Sequence, residues 1–141
     1  MFATACDVSE KRYLKLIVAR LATYLQIPGY GEALVNVNGW DMDTLQAFRN
    51  APIIAGMTGA IDSVASYTEL AEIDKLIPQE WRPAAVGDAK TCAQRWLDQI
   101  NAGADGVIIH ASTPEEFAPV LAEYEKIRPS ELFVQRTNRP G

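Results

Sequence analysis

Apolar positions along this chain recur mostly at helical spacing. From Tyr13 they fall at Leu14, Ile17, Val18, Leu21, Ala22 and Leu25, which predicts one long amphipathic helix from Ser9 to about Gln26. Leu16 and Tyr24 widen its apolar face, as packing against more than one neighbour requires. Asp7 or Ser9 caps the start, and Pro28 and Gly29 end it. A short helix is expected from Tyr30 to Val37, stopped by the Asn38-Gly39 turn signal, and Asp41 or Asp43 caps another through Leu45, Phe48 and Arg49. Ile53 to Gly59 reads equally as an irregular loop or a buried helix. Ile61 to Ile77 carries Val64, Tyr67, Leu70, Ile73 and Leu76 or Ile77 on one side, again helical. Pro83 and Gly87 bound a loop. Asp88 caps a helix bearing Cys92, Ala93, Trp96, Leu97 and Ile100, with Gly103 just past its end.

The pattern changes at Val107 to Ile109. This short unbroken apolar run between turn residues does not alternate, so it predicts a strand buried on both faces, as in a parallel sheet. Thr113 opens the next helix, with Pro114 at its first position and Glu116 completing a capping box. That helix continues to about Arg128 through Phe117, Val120, Leu121, Tyr124 and Ile127 or Arg128, and Pro129 stops it. Phe2 to Cys6 is the second strand candidate. Helix, turn, buried strand and capped helix is the order of an α/β protein. Two strands against at least four helices is an imbalance, since an isolated strand pair needs helices packed on it. These parts match the last two βα units of a (β/α)₈ barrel, mostly helical with two short parallel strands. A whole barrel takes ~250 residues, and this chain has 141. Residues 1–129 are expected to form that portion, and 130–141 a flexible tail.

Composition narrows the function classes. The net charge of -5 and the lack of a basic stripe argue against nucleic acid as a partner. No apolar run spans a bilayer, and residues 1–7 lack a basic leader, so a cytoplasmic protein is expected. Cys6 and Cys92 have no metal-ligand spacing and are read as free thiols; no metal site is expected.

Candidate chemistry gathers at strand ends. His110, the one histidine, follows the Val107–Ile109 run, where parallel α/β folds hold ligands. Proton transfer and a plain hydrogen bond to loop backbone are equally open to it. Ser112 and Thr113 offer hydroxyls and helix N-terminal amides that suit phosphate, although capping accounts for Thr113. Asp7 ends the first strand and faces the same edge, with N-capping as its simpler role. Trp40, in a loop, is the tryptophan available to contact a flat ring; Trp96 lies on a core stripe. Glu115 and Glu116 complement a helix dipole and are not read as a catalytic dyad. Gly29-Tyr30-Gly31 follows a helix and is not a phosphate loop.

Several stretches together resemble the C-terminal part of luciferase-like, flavin- or F420-dependent oxidoreductases. They are Tyr24 to Gly31, Asn38 to Asp41, Ile77 to Trp81, Gly87-Asp88 through Cys92 into Ala102 to His110, Thr113 to Glu116, and Tyr124 through Arg128-Pro129. The likeness covers nearly the whole chain and is nearest the F420-dependent branch. It implies a TIM barrel binding F420 or FMN at the strands' carboxyl ends, with hydride transfer or oxygen activation on a small organic substrate. It also implies that the family's first six βα units, which supply much of the cofactor site, have no counterpart in these residues. Activity of this chain alone is therefore left open, and no catalytic set is assigned. The cofactor-contact candidates are His110, Ser112, Trp40 and Asp7. The partner is then a missing N-terminal barrel segment or, for wide apolar faces needing cover, a second copy. The rival reading is a non-enzymatic helical assembly or binding module.

Overall fold

β1 (Phe2–Cys6) is the middle strand of a three-stranded parallel sheet in the order β2-β1-β3, with β2 at Ala84–Gly87 and β3 at Ile109–His110. The computed structural model describes residues 2–82 and 84–129, so the tail expected at 130–141 lies outside them. Ala3 to Cys6 pair with Ala84 to Gly87, and Phe2 and Ala3 pair with Ile109 and His110.

Three strands replace the expected two. β2 falls in the stretch read as a loop, because Ala84, Ala85 and Gly87 are too small to make an apolar run. The strand expected over Val107–Ile109 begins only at Ile109, and it is not buried on both faces: Ile108 is 70% exposed. β3 pairs on one side and for two residues, so little covers its approach.

From β1 the chain crosses to β2 in one direction, then returns past β1 to reach β3. Right-handed connections then put the intervening helices on opposite faces of the sheet, and they lie there. On one face Ala3 and Ala5 meet Leu16 and Ile17. On the other, Cys6 and Ala85 meet Cys92, Ala93, Trp96 and Val120. A barrel wall has its strands side by side in chain order and its helices on one face. The α/β class is present; a barrel arc is not what this sheet shows.

The long first helix holds the two halves together. It starts as α1 (Glu10–Tyr13), widens into a π-helical turn (Leu14–Val18) and resumes as α2 (Ala19–Gln26). Ser9 caps it, accepting from the Arg12 N–H. The π turn shifts register, so Leu16 and Ile17 face the sheet while Leu14, Val18, Leu21 and Leu25 face a separate helical core. That core is closed by α3 (Tyr30–Asn38), α4 (Met42–Asn50), α5 (Pro52–Ala55), α6 (Ile61–Val64) and α7 (Tyr67–Asp74). Leu45, Ile61, Leu70 and Ile73 are fully buried in it. Each contributes about 1.5–3 kcal/mol of transfer free energy.

The single helix expected over Ile61 to Ile77 is broken at Ala65, which is extended, because Ser66 and Glu69 form a fresh capping box and restart the turn as α7. Beyond β2, α8 (Ala89–Asn101) is capped by Asp88 and α9 (Pro114–Ile127) by Thr113, both as the sequence predicts. Gly103 follows α8 at φ +100°, a conformation that favours glycine.

Candidate functional site

β3 ends at His110, opposite Ala3, while β1 runs on to Cys6, and the chain leaves the two strands toward opposite faces of the sheet. Such a switch point is where open parallel sheets hold ligands. Among the described residues, Asp7, at φ 48°, and Ala111, at φ 66°, are the non-glycine residues in left-handed conformations, one after β1 and one after β3. Ser112 Oγ donates to the Thr4 carbonyl at 2.6 Å, tying the β3 loop to β1.

Arg12 bridges the two loops. Its Nε and Nη2 donate to the Glu116 carboxylate at 2.6 and 2.7 Å, and Nη2 also donates to the Ala111 carbonyl at 3.0 Å. This bidentate geometry is the strong form of an arginine–carboxylate pair. It holds the Glu116 carboxyl down at about 2, helped by the Thr113 N–H. Lys11, just before Arg12, and Lys15, a turn after Lys11, sit 5.4 and 5.7 Å from the centre of the Tyr67 ring, which is 46% exposed. A cationic, partly aromatic surface therefore flanks the β1 loop on a chain that is acidic overall. Lys11 suits a phosphate and the half-exposed ring suits a planar group, while Arg12 is already engaged by Glu116 and Lys15 donates to the Asp62 and Ala65 carbonyls at 3.4 and 3.3 Å.

The four contact candidates do not converge. Asp7 is exposed; its N–H donates to the Gly87 carbonyl at 3.0 Å, and the N-cap role falls to Ser9. Ser112 is at the switch point, with its hydroxyl proton committed to Thr4. His110 points toward α2, where Arg20 Nη2 lies 3.2 Å from Nε2 and Arg20 Nη1 pairs with Asp62 at 2.6 Å. Trp40 stacks on Trp81 at 4.8 Å and 7°, packed on the helical core rather than at the strand ends. The bridge itself escaped the sequence, since Arg12 and Glu116 are far apart in the chain and each has an adequate local role at a helix start.

Beneath the edge, Cys6 and Cys92 are buried free thiols that interact with each other. Burial, then the neighbouring Cys6 and the carboxylates of Asp7 and Asp88, push the Cys92 thiol up to about 12. Burial and Asp7 raise Cys6 as well. Neither is therefore a ready nucleophile. Among the described residues no helix is long and apolar enough to cross a membrane.

No family model, curated protein or solved structure matches this chain.

Proposed function

We propose that the chain is the carboxyl-terminal part of a luciferase-like oxidoreductase, contributing to a site for F420 or FMN over the carboxyl ends of its strands. The observation that carries this is the Arg12 guanidinium, which reaches from the start of the first helix to the Ala111 carbonyl after β3, next in sequence to Lys11 over the Tyr67 ring. The sequence resemblance supplies the cofactor class. The resembled family is a (β/α)₈ barrel, whereas this sheet runs β2-β1-β3 with helices on both faces; the proposal rests on the strand edge that both architectures use. Barrels and open parallel sheets both hold ligands at the carboxyl edge, so the location of the site does not depend on which is formed. The cofactor would carry the redox chemistry. The chain's own part would be to bind: Arg12 and Lys11 meet a phosphate, Tyr67 meets a planar ring, and the loops after β1 and β3 frame it.

Separate titrations of F420 and FMN into the chain, followed by cofactor fluorescence, test this. Saturable binding is expected. It should tighten in Glu116→Gln, which releases Arg12 from its carboxylate, and weaken in Arg12→Met. Flat titrations with both cofactors, or binding indifferent to both substitutions, would remove the assignment.

A further inference from the structure

β2 lies at one end of the sheet, and among the described residues its outer side has no strand beside it. That edge is the floor of a cleft of about 800 Å³. One wall is the flank of α8 bearing Thr91, Arg95 and Asp98. The other is formed by Tyr13 and the turn bearing Glu80 and Arg82, and Val86 stands between them, 43% exposed. An edge recessed between two walls shuts out a second folded sheet but admits a single extended segment, laid between strand and helix. The volume falls within the roughly 300–1,000 Å³ of ligand clefts, which suits a few residues of peptide.

The floor offers backbone groups. The Gly87 carbonyl accepts from the Asp7 N–H at 3.0 Å, so it points at β1. Strand residues alternate in this respect, and Val86 therefore turns its N–H and carbonyl outward, into the cleft. Its side chain belongs to the Tyr13 wall, because Val86 pairs in register with Ala5, which packs on Leu16 and Ile17. Ala85 is buried on the other face, against α8.

The walls carry charge with a direction. α8 starts at the carboxyl end of β2, where Asp88 caps it, and runs back along the strand, so Arg95 stands a turn beyond Thr91 toward the strand's middle. The turn bearing Glu80 leads into the amino end of β2. Arg82 is committed to Asp74, the Ile77 carbonyl and Tyr13 Oη, and Asp98 accepts from Gln94. The side chains of Arg95 and Glu80 have no partner among the described residues.

We propose that this cleft takes an extended peptide segment of another protein, added antiparallel to β2, with the order acid, apolar residue, any residue, base from its amino end. The apolar residue lies opposite Val86, exchanges both backbone hydrogen bonds with it and covers its side chain. Side chains of the added strand alternate between the walls. The acid just before the apolar residue turns to α8 and meets Arg95. The base two places after it turns to the other wall at the amino end of β2 and meets Glu80. This inference goes beyond the cofactor reading and does not depend on it.

The probe is the acetylated, amidated peptide Thr-Glu-Val-Thr-Lys-Thr, titrated to millimolar concentration into the isotope-labelled full chain and followed by amide NMR shifts. Saturable shifts are expected at Val86 and along the Thr91–Arg95 flank of α8. Affinity should fall at least threefold in Arg95→Met, an exposed position whose change leaves far-UV circular dichroism unaltered. It should fall as far with the charge-swapped peptide Thr-Lys-Val-Thr-Glu-Thr, and binding should be lost when the valine amide of the probe is methylated. No shift at residues 85–87, or equal affinity for the probe, the swapped peptide and the methylated one, overturns the proposal. Val86 shifts that follow chain concentration without any peptide would assign the edge to a second copy, and overturn it as well.

Discussion

Glu116 serves two purposes that substitution separates. Its carboxylate pairs with Arg12 across the switch point, and it accepts the Thr113 N–H at 2.8 Å to complete the capping box of α9. Glu116→Gln keeps a carbonyl for the cap and removes the charge. The lost ion pair is half-wet, with the Arg12 and Glu116 side chains 36% and 25% exposed, so solvent screening limits its worth to about 1 kcal/mol. Glu116→Ala removes the cap as well, for about 2 kcal/mol in all. In a domain of this size the first change lowers the melting temperature by roughly 3–6 °C.

The pH dependence is fixed in sign. Arg12 lowers the folded Glu116 carboxyl from 4.5 to about 2, so on acidification the unfolded chain binds the proton first. The pair's contribution is complete above 4.5 and fades as the pH falls toward about 2. Thermal melts followed by circular dichroism should therefore show the gap between wild type and Glu116→Gln narrowing through that window. A double-mutant cycle with Arg12→Met at neutral pH isolates the pair. A coupling energy indistinguishable from zero, or a gap that stays constant through the acid window, would refute the bridge.

Other substitutions probe the packing. A Cβ on Gly31 would lie 2.7 Å from the Leu25 carbonyl oxygen and 2.6 Å from Arg49 Nη2; Gly31→Ala should cost about 1–3 kcal/mol, measured by urea denaturation. Trp96 Nε1 donates to Thr4 Oγ1 at 3.0 Å inside the sheet–helix layer. Thr4→Val keeps the shape but strands that buried N–H, for about 1–3 kcal/mol, read from chemical denaturation with tryptophan fluorescence as the signal. Ala111 is held at φ 66°, and Ala111→Gly should be neutral or raise stability by up to about 1 kcal/mol, strain relief outweighing the greater freedom of the unfolded chain; a loss of stability would contradict the strain.

What the sequence made legible follows from how local each cause is. The caps at Ser9, Asp88 and Thr113 are decided by a few adjacent residues, and all are present. The wide apolar face of the first helix predicted more than one neighbour, and the π turn is how the backbone turns part of that face to the sheet and part to the helical core. β2 was invisible because nothing in Ala-Ala-Val-Gly is apolar enough to announce a strand; its pairing with β1 makes it one. The same holds for order: no local signal says that the chain leaving β2 returns past β1 to set β3 on its other side. The site suffers from this most. Strand-end position singled out Asp7, His110 and Ser112, but position does not say which way a side chain points or what it already holds.

What they already hold defines how any ligand must enter. Arg20 reaches from α2 to Asp62 in the helical core and to His110 on β3. Arg82 joins the helical core to the first helix, donating to the Asp74 and Ile77 carbonyls and to Tyr13 Oη, each at 2.8 Å. Arg49 caps the end of α2 through the Leu25 and Ile27 carbonyls and pairs with Glu32. Arg12 spans the loops. In each case the guanidinium fork meets several acceptors at once; Arg49 and Arg82 reinforce elements that already share the helical core, while Arg12 and Arg20 reach across to α9 and β3. The cofactor proposed above would meet an edge already closed by Arg12 and Glu116. Its binding would require an anion able to draw that guanidinium from its carboxylate, and a phosphate, with its greater charge and matching geometry, is the kind of group that can.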